Sequence, residues 1–141
     1  MKRLLSCALA GILASPLSTF AADDMARVVA SVCDYTKAND RGNLRKKLDG
    51  AGLDLRKVYE GISCPAAGAF EGGSLLRLAA TFGSVDAATF IAAKLGKNGL
   101  NKPESDGKTV ITWAEAKVAA GDASTKELMQ PVVDLLKSKA Q

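Results

Sequence analysis

The sequence predicts an all-α domain in which helix-turn-helix pairs stack side by side, with an irregular helical bundle as the alternative. Apolar residues recur three and four positions apart along most of the chain, and strand-type alternation is nearly absent. Good helix formers such as Ala, Leu, Lys and Glu dominate these segments. Residues 73–80 also match residues 108–115 at an offset of 35 positions. Such a repeat indicates helix pairs that bury their apolar faces by stacking.

The N-terminus has the form of a secretory signal peptide. Residues 1–3 are a short basic start, residues 4–17 are largely apolar, and small residues permit cleavage before Ala22. The apolar stretch is shorter than the about 20 residues of a membrane span. We therefore expect residues 1–21 to be cleaved, leaving a periplasmic protein with a single helical domain over residues 22–141 and no membrane span.

The elements of the first half follow from helical spacing and breakers. Asp23 or Asp24 is available to cap the first helix. The segment after the second helix fits either a short helix or an extended connection. In chain order we expect a helix over residues 25–37, a polar turn over 39–42, a short helix over 43–48, the undecided segment over 53–62, and a loop over 64–73.

The second half contains four helices. Ser74 and Thr109 are the expected caps of the two repeated helices. Residues 124–127 have the form of a capping box, and Pro131 inside the last helix predicts a kink or a later start. The elements are a helix to residue 82, a turn at 83–84, a helix over 85–95, a polar loop over 96–107, a helix from Thr109 to Gly121, and a last helix from residue 124.

Two cysteines remain after loss of the leader, Cys33 and Cys64. An even pair in an oxidising compartment predicts a disulfide, and the Cys-x-x-Cys spacing of redox-active pairs is absent. Cys7 should be lost with the leader. A lipoprotein signal at Cys7 is the alternative, which is disfavoured because only six residues precede it.

The composition excludes several classes of function. Two of the 19 basic residues lie in the leader, which leaves 17 against 15 acidic residues, too weak a charge to favour nucleic acid. The chain has no histidine, which excludes histidine-based nucleophile pairs and metal sites. Aromatic residues make up only 5% of the chain, too few for stacking platforms. No catalytic motif is complete, so we expect neither enzymatic activity nor a cofactor.

The repeated unit carries a resemblance to a known family. Residues 74–83 run Ser-Leu-Leu-Arg-Leu-Ala-Ala to a glycine, and residues 106–109 read Asp-Gly-Lys-Thr. This pattern resembles the ankyrin repeat, with a third, weaker unit over residues 28–48. The resemblance implies an ankyrin-like stack that binds proteins through its loops and inner helices.

A second, more local pattern joins both cysteines. Cys33 precedes the Ala-Asn-Asp-Arg turn of residues 38–41, and Cys64 precedes the Ser-Leu-Leu-Arg of residues 74–77. Residues 33–79 thereby resemble an uncharacterised family of small exported bacterial proteins. The resemblance implies export and a joined cysteine pair, and it carries no biochemical role.

A basic run is the candidate binding surface. It contains Lys37, Arg41, Arg45, Lys46, Lys47, Arg56 and Lys57. Four aspartates share this segment and leave a local excess of +3. The run could bind an anionic partner. The alternative, which we favour, is a solvated helix face with Arg45 paired to Asp49 one turn away.

We expect a non-catalytic module that binds another envelope protein. The expected contacts are the loops 39–42, 66–73 and 97–108, placed along one side of the stack. The alternatives are a neutraliser of a periplasmic toxin, and a binder of an anionic ligand or envelope polymer through the basic run. Trp113 is expected to be buried between repeats rather than to anchor an interface. The sequence does not indicate an oligomeric state.

Overall fold

The computed structural model describes residues 19–141, with side chains described from residue 22. The described part is helical apart from its loops, which confirms the predicted all-α class, and none of its helices is long and apolar enough to cross a membrane. The helices are α1 (Thr19–Lys37), α2 (Arg41–Gly50), α3 (Leu55–Val58), α4 (Leu75–Phe82), α5 (Val85–Leu100), α6 (Val110–Ala120) and α7 (Ala123–Ala140), and a 3₁₀ turn (Tyr59–Gly61) follows α3.

The helices pack as three successive pairs. Within the pairs, α1 packs on α2, α4 on α5, and α6 on α7. Between pairs, α4 contacts α1 and α6, while α5 contacts α2 and α7. One row of helices is therefore α1, α4 and α6, and the second row is α2, α5 and α7. Helix α4 is the middle helix of the first row and also packs on α5 and α7 of the second row, so its leucines and alanines form the centre of the core.

The first helix begins earlier than predicted. Asp23 and Asp24 do not cap it, because α1 starts at Thr19 and both carboxylates are exposed within it. The residues between Thr19 and Met25 include alanines and neither glycine nor proline, so nothing in them stops the helix. Residues 1–18 of the predicted signal peptide lie outside the residues that the structure describes. The expected cleavage point, before Ala22, falls within α1.

The undecided segment is helical. Asp54 caps α3 by accepting a hydrogen bond of 3.1 Å from the backbone N–H of Arg56. Helix α5 is longer than the predicted helix over residues 85–95. Gly96 does interrupt it with φ 67° and ψ 178°, but residues 97–100 add a further helical turn. The polar loop is therefore shorter than the sequence suggested.

The last helix corrects two predictions. Its cap is Asp122, which accepts a hydrogen bond of 2.8 Å from the backbone N–H of Thr125, so the expected capping box at residues 124–127 is wrong. The expected later start is also wrong, because α7 continues through Pro131. Met129, Val132 and Val133 are buried around the proline. Their burial holds the helix despite the backbone hydrogen bond that proline removes.

The predicted cysteine pair is joined in the structure. Cys33 of α1 and Cys64 form a disulfide with a Cα–Cα distance of 5.7 Å. Cys64 also exchanges two backbone hydrogen bonds with Gly73, of 2.7 and 3.0 Å, and Phe70 is buried within the loop between them. The disulfide thus ties α1 to Cys64, and the two backbone hydrogen bonds hold Cys64 next to the residue that precedes the cap of α4.

Candidate functional site

A cleft of about 530 Å³ lies beside the second helix pair, between the segment that starts at α3 and the loop before α6. Its walls are the segment from α3 to residue 63, the N-terminal end of α4, the C-terminal end of α5 and the loop before α6. The volume is within the range of about 300–1,000 Å³ that is typical of ligand sites. The cleft is therefore large enough to receive a few side chains of a partner or a small molecule.

The floor of the cleft is apolar. Ile62, Leu76 and Val110 are buried there, and Leu95 is half-buried. These side chains come from four separate segments, which pack together only in the folded stack. An aliphatic group that enters the cleft would lose contact with water against this floor, which is favourable in proportion to the apolar area covered.

The rim of the cleft is polar and exposed. Lys102 makes an ion pair with Glu60 across the opening. The Nε of Arg56 donates a hydrogen bond of 2.8 Å to the backbone carbonyl of Lys94, which anchors the guanidinium at the rim. Ser63 adds an exposed hydroxyl-bearing residue. The opening therefore combines charged side chains at the rim with an apolar interior, as binding sites commonly do.

One wall of the cleft is held by Arg77. In the sequence, this residue stands out only as part of the repeated unit. Its guanidinium makes an ion pair with Glu104 and two hydrogen bonds of 2.8 Å to the carboxylate of Asp106. It also lies 5.0 Å from the ring centroid of Trp113. We call Arg77, Glu104, Asp106 and Trp113 the Arg77 clasp. The clasp ties α4 to the loop before α6.

Trp113 is half-buried rather than enclosed between helices. Arg77 covers its ring, and the Nζ of Lys117 lies 5.8 Å from the ring centroid. A cation over a tryptophan face is attracted by the negative face of the ring. Trp113 therefore packs against the core and supports the clasp.

Tyr59 connects the clasp to the opposite wall. Its hydroxyl donates a hydrogen bond of 3.2 Å to Glu104 and accepts one of 3.4 Å from the backbone N–H of Leu76. Burial, followed by the negative charge of Glu104, raises the pKa of Tyr59 well above its usual value, so the hydroxyl stays protonated. The hydrogen bonds from Arg77 lower the pKa of Asp106 well below its usual range. These groups satisfy one another and stiffen the wall.

The predicted basic run extends from the end of α1 through α2 to α3. Arg56 lines the cleft, whereas the other six residues do not. Those six are Lys37, Arg41, Arg45, Lys46, Lys47 and Lys57. Lys37 lies 5.1 Å from the ring centroid of Phe82. Arg45 makes an exposed ion pair of 3.5 Å with Asp49, as the solvated-face interpretation expects.

The three loops that were expected on one side do not lie together. The Asn39 side chain accepts hydrogen bonds of 2.8 and 3.0 Å from the backbone N–H groups of Asp86 and Ala87 at the start of α5. The loop 97–108 is instead tied by Arg77 to the first turn of α4. Eight helical residues, about 12 Å, separate these two ends. The turn 39–42 joins the helices within a pair, so it lies at the opposite end from the loops that join successive pairs.

A protein-family model matches residues 32–102 of the chain, and the family is described as a protein of unknown function, DUF3718. The match spans half of the chain and contains both cysteines and the lining of the cleft up to Lys102. The resemblance of residues 33–79 to an uncharacterised family is thereby confirmed. No curated protein and no solved structure matches the chain.

Proposed function

The chain therefore belongs to the DUF3718 family, and we propose that it is a non-catalytic module of the bacterial periplasm that binds another protein in its cleft. The observation that carries the proposal is the combination of an apolar floor with a charged, exposed rim. Protein interfaces have the same anatomy, with an apolar centre surrounded by polar groups.

The Arg77 clasp supports the proposal because it orders one wall of the cleft in the unbound protein. Arg77 is only 12% exposed in its side chain and holds Glu104 and Asp106 together. Ordering a loop upon binding costs free energy that is subtracted from the affinity. A wall that is already fixed avoids most of that cost and favours specific recognition.

The periplasmic location rests on the sequence of residues 1–21 and on the disulfide between Cys33 and Cys64, which suits an oxidising compartment. The ankyrin-like character of the stack rests on the 35-residue offset and on the row-by-row packing of the helix pairs. Repeat stacks commonly bind partners on the side where their connecting loops gather.

The experiment is an affinity capture with a matched pair of tryptophan variants. Ser63→Trp places a large ring at the rim of the cleft, whereas Ser124→Trp places the same ring on the exposed first turn of α7. Tagged mature proteins would be incubated with cross-linked periplasm and the retained proteins identified by mass spectrometry. We expect one protein to be retained by the wild type and Ser124→Trp and to be lost with Ser63→Trp. Retention by all three proteins would contradict the proposal.

A further inference from the structure

The rim of the cleft carries cationic groups that an anion can reach. The terminal amino groups of Arg56 make no hydrogen bond or ion pair within residues 22–141, because only its Nε is used. Lys102 is paired with Glu60, but the two side chains are 64% and 70% exposed. Exposed ion pairs of this kind contribute little to the stability of the folded protein. An incoming carboxylate can therefore replace Glu60 at Lys102, and the terminal amino groups of Arg56 face no competing partner among the described residues of the same lining.

The acidic group of the opposite wall does not cancel this attraction. Glu104 is already engaged by the guanidinium of Arg77 and by the hydroxyl of Tyr59. Lys57 and Lys94 are exposed next to Arg56 and add positive charge outside the cleft. Within the part of the chain that the structure describes, the lining itself contains three cations, Arg56, Arg77 and Lys102, and two carboxylates, Glu60 and Glu104. The net charge there therefore favours an approaching anion by one unit.

The apolar floor determines what the uncharged part of the bound molecule can be. Leu76, Leu95 and Val110 offer aliphatic contacts. Among residues 22–141, Tyr59 is the one aromatic residue of the lining, and its hydroxyl is engaged by Glu104 and Leu76. A single tyrosine offers little surface for the stacking of sugar rings, and an inorganic anion would leave the apolar floor uncovered. An aliphatic side chain next to a carboxylate uses both features.

We infer that the cleft recognises a segment of a partner polypeptide in which an acidic side chain neighbours an aliphatic one. The carboxylate binds the terminal amino groups of Arg56 and the ammonium of Lys102, and the aliphatic side chain contacts the floor. This inference rests on the proposed function and specifies the chemistry of the partner.

The test uses the mature protein and three peptides, acetyl-Leu-Asp-Leu-amide and the same peptide with Asn or with Lys in place of Asp. Binding is followed by ¹⁵N–¹H chemical-shift titration. We expect the Asp peptide to bind about tenfold or more tightly than the Asn peptide, because hydrogen bonds to a charged group are the stronger ones. The Lys peptide should bind least, and the shifts should map to residues around Arg56, Leu95 and Lys102.

A matched pair of double variants assigns the effect to the rim. Arg56→Gln with Lys102→Gln should weaken binding of the Asp peptide about tenfold or more and leave the Asn peptide nearly unchanged. Lys126→Gln with Lys139→Gln removes two exposed cations outside the cleft and should leave both affinities unchanged. Equal losses in the two double variants would overturn the inference, because the effect would then come from net charge alone.

Two other results would also overturn the inference. One is a failure to discriminate, in which the three peptides bind with equal affinity or none of them binds. The other is competition by inorganic phosphate at the same concentration as the peptide, since the apolar floor would then have no role. If the peptides fail while Ser63→Trp still loses a captured protein, the inference is wrong and the proposed function stands. If Ser63→Trp changes nothing, the proposed function itself fails.

Discussion

Arg77 joins two parts of the chain that are far apart in sequence. It reaches from α4 to Asp106, which is 29 residues later, and its side chain is largely shielded from water. We expect Arg77→Ala to reduce the free energy of unfolding by about 2–4 kcal/mol, because it leaves Glu104 and Asp106 without their partner. Urea denaturation monitored by circular dichroism measures this change.

The matched control for Arg77 is Arg45→Ala. Arg45 and Asp49 form an exposed pair within one helix, with side chains 68% and 63% exposed. Pairs of this kind contribute about 0–1 kcal/mol, so the control should change stability by no more than that. Similar losses in the two variants would show that the clasp is no stronger than a surface ion pair.

Asp106 gives the clasp a defined response to acid. Hydrogen bonds from Arg77 hold its folded-state pKa below the unfolded value, so its stabilising contribution is present above about pH 4 and is lost as the pH falls further. Asp106→Asn should therefore be less stable than the wild type at pH 6, and the difference should shrink between about pH 4 and pH 2. Urea unfolding of both proteins across this range measures the difference. A gap that is constant with pH would contradict the assignment.

Single-residue predictions succeeded where the cause is local. Ser74 and Thr109 are caps as expected, since each accepts a hydrogen bond from the backbone N–H three residues later. The roles of Arg77 and Tyr59 could not be predicted in this way. Their carboxylate partners lie more than 25 residues away, and a single sequence contains no signal of which distant carboxylate a side chain will meet.

The turn between α4 and α5 depends on a glycine at a close contact. Gly83 has φ 67°, and a Cβ atom there would lie 2.9 Å from the backbone carbonyl oxygen of Leu128 in α7. Gly83→Ala should cost roughly 1–2 kcal/mol for the left-handed backbone. The clash should add about 1–3 kcal/mol, because neither backbone can move freely. Thermal and urea unfolding measure the loss.

Gly52→Ala is the control that separates backbone strain from the clash. Gly52 has φ 65°, but nothing lies within 4 Å of the position of its Cβ. This variant should therefore show only the left-handed cost of roughly 1–2 kcal/mol. If Gly52→Ala were as destabilising as Gly83→Ala, the close approach of α7 to the turn would have no energetic consequence.

Helix type could be predicted more reliably than helix ends. The turn glycines and the apolar spacing located α4 and α6 closely. The start of α7 was misplaced because Asp122 and Ser124 are both acceptable caps, and only the packed structure decides between them. A kink or a later start was predicted at Pro131, and the later start is wrong because α7 continues through the proline, with buried neighbours on the same helix.

The disulfide connects the first helix pair to the wall of the cleft. It closes a segment with a sequence separation of 31 residues. In the chain-entropy description, removing it by Cys33→Ala with Cys64→Ala should lower the free energy of unfolding by about 3–4 kcal/mol. Urea unfolding of the oxidised wild type and the double variant measures the loss. Unfolding midpoints that coincide would contradict a stabilising role for the bridge.

The arrangement of the whole molecule was only partly predictable. The offset of 35 residues between the two repeated units indicated stacked pairs, and the order of contacts between the helices follows that pattern. The cleft could not be predicted, because residues between Arg56 and Val110 from several segments form it. Residues 39–42 were predicted to lie on the same side as the loops 66–73 and 97–108, and this prediction is wrong. A turn within a helix pair and a loop between successive pairs lie at opposite ends of the helices.

The central claim is that the cleft is the surface on which the partner binds. The most direct measurement is site-specific photo-cross-linking in intact cells, with a photoreactive amino acid at Ser105 on the rim or at Gln130 on the exposed face of α7. We predict one discrete cross-linked protein from Ser105 and none from Gln130. A cross-link from Gln130 with none from Ser105 would contradict the account and place the binding surface on α7.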